Sequence, residues 1–201
     1  MANPDRMGFL KRTSIFLGYQ EGIRGLISSA AASASTGAGD APEAEASTLS
    51  AVGLHMDPTT DGHNWYWTIP RDLNYLHEIN MRVRYSTASA TSADDRQWVI
   101  LYDVIAEDAA LAIGTTALST AIVAETDNGT ANAWQDSPVG TLNGQVITEA
   151  NVINQDLLAI NLVLLLDDAS EEMNMYGLII DYVPKRYQGH PGAYNPTASA
   201  E

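Results

Sequence analysis

The stretch "HMDPTTDGH" brings His55, Asp57, Asp61 and His63 into one short segment, the densest set of metal-ligand side chains in the sequence. Imidazole and carboxylate together suit zinc or another transition ion. Their spacing fits no compact ligand motif, and Pro58 with Asp61-Gly62 marks a turn, so a polar loop between strands is the preferred reading. "DDASEE" gathers Asp167, Asp168, Glu171 and Glu172, oxygen donors of the kind calcium takes. The segment lacks the alternating acids and central glycine of a helix–loop–helix calcium loop, and it reads as a solvated hairpin tip. The expectation is no metal and no cofactor.

Aromatic residues are the next candidates. Trp65, Tyr66, Trp67 and Trp134 have the rigid flat faces that stack on sugar rings. The only two phenylalanines, Phe9 and Phe16, lie near the N-terminus, so a core in the body must use Trp and Tyr. In a strand Trp65 and Trp67 share a face, with Tyr66 on the other. The expectation is that the two tryptophans line a core while Tyr66 faces solvent or a neighbouring subunit. For catalysis, His55, His63, His77 and His190 sit in loops or at breaks. No Gly-x-Ser-x-Gly elbow, Walker loop or His-Glu-x-x-His helix occurs. The chain reads as a non-enzyme.

The elements that must position these residues are β by pattern. In "INMRVRY" the residues Ile79, Met81, Val83 and Tyr85 alternate with Asn80, Arg82 and Arg84, the period of a half-buried strand. "WVILYDVI" (98–105) and "LLAINLVLLL" (157–166) read as buried strands, and "MYGLIIDYV" (175–183) as another that ends at Pro184. Residues 112–125 are expected to be strands, and Trp65 to Ile69 form a strand stopped by Pro70. Turn signals punctuate these runs, and no amphipathic helix stands out. The fold class is therefore all-β, a jelly-roll-like β-sandwich with an extended N-terminal arm.

Three regions follow. Residues 1–48 are an N-terminal arm, irregular or partly helical, with an Ala/Ser/Gly-rich linker. Residues 49–187 are the sandwich, and 188–201 a Gly/Pro-rich tail. The chain has 201 residues, no cysteine and a formal net charge of −15. Disulfides and thiolate chemistry are excluded. An acidic body disfavours nucleic acid, and no run of about 18 apolar residues exists to cross a membrane. Residues 1–24 oppose that trend, with Arg6, Lys11, Arg12 and Arg24 against Asp5 and Glu21. Candidate interface residues are Phe9, Lys11, Arg12, Phe16, Tyr19, Arg24 and Tyr66.

Four segments in order carry a resemblance. These are "MGFLKRTSIFLGYQEGIRGLIS", "YWTIPRDLNYLHEINMRVRYSTASATSADDRQWVILYD", "LNGQVITEANVINQDLLAINLVLLL" and "YGLIIDYVPKRY". Together they resemble the auxiliary capsid proteins, of decoration or cement type, of tailed bacterial viruses, which are built on a single jelly roll. That resemblance implies a non-enzymatic structural role on the virion, assembled in the host cytoplasm. The implied partners are the viral major capsid protein and the chain itself as a homotrimer, held through arm and sandwich contacts. Two other readings stand beside it: a jelly-roll shell protein proper, and a carbohydrate-binding host-recognition module.

Overall fold

The computed structural model describes residues 12–21, 23–24, 44–46, 52–56, 62–87, 95–112, 114–117, 125–126, 130, 133–143, 146–167 and 173–185. In chain order the strands begin with β1 (Thr13–Gly18), β2 (Ile23–Arg24), β3 (Ala44–Ala46) and β4 (Val52–His55). Then come β5 (Gly62–Thr68), β6 (Ile79–Thr87), β7 (Asp95–Ile105), β8 (Thr116–Ala117) and β9 (Glu125–Thr126). Next are β10 (Trp134–Asp136), β11 (Gly140–Leu142), helix α1 (Glu149–Asn154), β12 (Leu157–Asp167) and β13 (Met173–Tyr182).

Among the described residues the strands form two antiparallel sheets. Sheet A runs β10-β6-β13-β4-β3, with β1 also on β13 and β11 also on β6. Sheet B runs β2-β5-β12-β7-β8, with β9 also on β7. The chain is thus an all-β, jelly-roll-like sandwich. No helix among the described residues is long and apolar enough to cross a membrane.

Period two builds the core. From β6 it takes Ile79, Met81, Val83 and Tyr85, and from β12 Leu158, Ile160, Leu162 and Leu164. Two aromatic pairs bridge the sheets: Tyr85 meets Trp98 with ring centroids 5.5 Å apart, and Trp67 meets Tyr182 at 5.8 Å. Trp65 and Trp67 line the core as expected, and Tyr66 on the opposite side of β5 is half-buried. The nearly continuous apolar run in β12 has a direct cause. Ala159, Asn161 and Val163, on its other face, are also buried, so over residues 158–164 neither face of this central strand meets water.

Two expectations need correction. Residues 13–18 are not irregular or helical. They form β1, registered on β13 from Thr13↔Tyr182 to Gly18↔Gly177, and residues 23–24 pair with β5 in the other sheet. Ile15 and Leu17 pack against the core, so burial and a ladder of backbone hydrogen bonds override the helix-like spacing around Gly18 and Gly22. The sandwich therefore recruits strands from before residue 49, and residues 1–11 lie outside the described residues. The second correction is α1. Thr148 caps it, with Asn151 at the third helical position closing a capping box, and Gln155 ends it in the left-handed region (φ 57°, ψ 42°). Of residues 112–125, 116–117 form β8 and Glu125 opens β9.

Candidate functional site

The outward side chains of β1, β13, β6 and β10 share one face of sheet A, and the register aligns them in rows. Phe16 lies opposite Ile179 and then Arg82; Gly18 lies opposite Gly177, then Arg84, then Asp136. Trp134 pairs with Ser86 in the next row. Phe16 is 48% exposed and Trp134 63% exposed, unusual for large rings on a sheet. Both flank one guanidinium: Arg84 Cζ lies 4.4 Å from the Trp134 ring centre and 5.9 Å from that of Phe16.

Carboxylates hold that guanidinium in place. Arg84 donates from Nε to Asp136 Oδ1 at 2.7 Å and from Nη2 to Oδ2 at 2.9 Å, a two-pronged pair. These hydrogen bonds raise the Arg84 guanidinium above its ordinary value, against the opposing effect of burial. Arg82 reaches Asp136 at 3.8 Å and donates to Asp181 at 2.9 Å, and the Ser14 hydroxyl donates to the other Asp181 oxygen. The arginine side chains are about a third exposed and the carboxylates less, so each link is partly screened by solvent and worth about 1 kcal/mol. The main consequence of the network is geometric, because it fixes the plane of Arg84 between two rings. Ser86 Oγ and Tyr176 Oη lie 2.7 Å apart on the same side.

Next to Phe16 a depression of about 410 Å³ opens between Gly18, Tyr19, Gln20, Glu21 and Tyr176. Glu21 Oε2 accepts from the Gly18 amide at 2.9 Å, which holds its carboxylate on the rim. Among its described residues the face thus combines flat apolar rings with fixed donors and acceptors.

The other sequence candidates are dispersed. His55 lies on β4 of sheet A and His63 on β5 of sheet B; Asp57 and Asp61 are outside the described residues. His63 is fully buried, its ring edge-on to Trp65 at 4.4 Å. Asp167 ends β12, and Asp168, Glu171 and Glu172 are outside the described residues. Among the described residues no group of three or more His, Asp or Glu side chains comes together. Of the interface candidates, Arg12 pairs with Glu78 at 3.0 Å, Phe16 stands on the aromatic face, and Arg24 lies in β2 opposite His63. Tyr19 packs with the core and also lines the depression beside Phe16. Phe9 and Lys11 lie outside the described residues. Sequence reasoning put Arg82 and Arg84 on the polar side of their strand but missed Asp136, Asp181 and the pairing of Arg84 with Phe16 and Trp134.

No protein-family model and no curated protein matches the chain. Among solved structures it is similar to the xylan-binding module CBM15, with a TM-score of 0.46 and 14% identity over 86% of this chain and 97% of that one. It is similar to the CBM36-1 domain of a multidomain xylanase from the hindgut metagenome of Trinervitermes trinervoides, with a TM-score of 0.44 and 9% identity over 84% and 96% of the two chains. It is also similar to a family 35 carbohydrate-binding module from Clostridium thermocellum, with a TM-score of 0.38 and 11% identity over 83% and 97%.

Proposed function

We propose that this chain is a non-catalytic binding module whose aromatic–arginine face holds a neutral glycan. One observation carries the reading: Phe16 and Trp134 stand exposed on either side of an Arg84 that Asp136 locks in position. A pyranose ring has an apolar C–H face and a rim of hydroxyls. Exposed rings take the first, while Arg82, Asp136 and Tyr176 offer partners to the second. Charge argues for a neutral ligand, since the two arginines are already matched by Asp136 and Asp181 and the chain carries −15.

The test is calorimetric titration of the full chain with neutral oligosaccharides, after a screen on immobilised polysaccharides. Trp134→Ala removes a stacking surface worth about 0.5–1.5 kcal/mol, a loss of about two- to tenfold in affinity. Lack of binding to every neutral glycan, or affinity indifferent to both Trp134→Ala and Phe16→Ala, defeats the proposal.

A second reading keeps the face and changes the occupant. Exposed Trp, Phe and Arg on one flat surface also match the composition of protein-binding hot spots. On that reading the face docks the module onto a viral major capsid protein, or onto further copies as a trimer, at the capsid surface. Co-sedimentation with capsid shells that Trp134→Ala abolishes, without glycan binding, would select it.

A further inference from the structure

We infer that two copies of this chain join edge to edge through β1, merging their A sheets into one, whatever the aromatic face holds. The margin of a sheet presents unpaired amides and carbonyls, and proteins blunt it with short strands, proline, charge or bulges. Among the described residues, β2, β3, β8, β9, β10 and β11 follow that rule, each being two or three residues long. β1 does not. Its six residues, TSIFLG, carry no charge and no proline, and they follow β13 without a shift of register. On its other side β1 meets no strand among the described residues.

The open side can be read from Gly18. Its amide donates to Glu21 Oε2 at 2.9 Å and its carbonyl accepts from Trp65 Nε1 at 3.0 Å, so neither group is spent on β13. In an antiparallel ladder the bonding side alternates with period two. The amides and carbonyls of Ser14 and Phe16 therefore point the same way as those of Gly18, away from β13. On the inner face, Ile15 and Leu17 pack against the core yet stay only half-buried, because no further strand covers them among the described residues. A strand laid along this margin supplies both hydrogen-bond partners and apolar cover.

A second copy fits because β1 complements itself about a twofold axis. With Ile15 on the axis, Ser14 faces the partner's Phe16 and Thr13 faces the partner's Leu17. The free amides and carbonyls then bond each other, and the half-buried apolar side chains gain neighbours on the inner face. The ends of the same register match in charge. Arg12 comes opposite the partner's Gly18, whose amide already holds the carboxylate of the partner's Glu21. The Arg12 side chain is 31% exposed and bound to a half-exposed Glu78, so it is free to turn towards that carboxylate. The match repeats on both sides of the axis, which favours a second copy over an unrelated strand.

The probe is the full chain itself, followed by sedimentation velocity from micromolar to near-millimolar concentration. So small an interface gives a weak dimer, and the expected result is a reversible monomer–dimer equilibrium with Kd micromolar or higher. As the dimer fills, the Ser14 and Phe16 amides exchange hydrogen more slowly, while the Gly18 amide, already bonded within the chain, does not change. Ser14→Pro removes an outward amide from an edge strand and abolishes the dimer. Glu21→Lys weakens it at least about tenfold, although it lowers the net negative charge of each copy. Glu107→Lys, the same change on an exposed carboxylate beyond the end of β7, does not weaken it. Trp134→Ala leaves it intact. A chain that stays monomeric, or that closes as a trimer, overturns the inference. So does a dimer that Glu21→Lys leaves as tight, that Trp134→Ala disperses, or whose Ser14 and Phe16 amides exchange at an unchanged rate. Should Ser14→Pro detach β1, Glu21→Lys and the exchange rates decide.

Discussion

Replacing Gly177 by alanine tests how the aromatic face is built. Gly177 follows the point where β13 slips register against β6, and its φ of +157° is a conformation L side chains rarely adopt. A Cβ there would lie 2.2 Å from the carbonyl oxygen of Leu17 and 2.8 Å from Cζ of Phe16. The ring can swing away; the Leu17 carbonyl belongs to β1 and moves only if that strand shifts from β13. Backbone strain of this kind costs about 1–3 kcal/mol, and the displaced strand adds to it. A loss of about 2–4 kcal/mol follows, or a Tm lowered by roughly 5–15 °C at 2–4 °C per kcal/mol for a chain of this size. Calorimetric unfolding measures the loss, and hydrogen exchange at residues 13–18 should show β1 opening ahead of the rest. Gly18 is the control. It sits opposite Gly177 in the ladder, yet a Cβ on it would meet nothing within 4 Å, so Gly18→Ala should stay within about 0.5 kcal/mol. A Gly177→Ala protein with unchanged Tm and protected β1 amides would refute the argument that this glycine seats both Phe16 and β1.

Other outcomes follow from burial and charge. Leu162→Ala, at a position with no exposure, should cost about 2–5 kcal/mol, read as a lower urea midpoint at unchanged slope. Trp134→Ala should change stability by no more than about 0.5 kcal/mol, because the ring is mostly in solvent, so its binding loss reports on the face alone. The Tyr182 phenol is raised above its ordinary 10.0, first by burial and then by Asp72, to which it donates at 3.1 Å. A folded-state value above the unfolded one gives stability that is complete below pH 10.0 and lost as pH rises through the raised value. Alkaline unfolding curves should show that decline, and Asp72→Asn should make it smaller.

What the sequence determined by itself is what period two can carry. The alternation in "INMRVRY" assigns Met81 and Val83 inward and Arg82 and Arg84 outward, and the same rule sends Trp65 and Trp67 into the core, because both depend only on neighbours along one strand. The apolar run of β12 was legible as a buried strand for the same reason. Helix α1 was not, since its capping box uses Asn151 where the usual signature has Glu or Gln, and six residues are too few for a periodic stripe. β1 was missed because three nearby glycines and apolar residues at helix-like spacing describe the local chain and say nothing of the edge of β13 that it completes. The face itself belongs to the tertiary structure. Arg84 meets Asp136 across 52 residues, and Phe16 comes to lie over Gly177 only through the register of β1 on β13. Strand order and register are set by how two whole sheets bury their inner faces together, and no single segment contains that information.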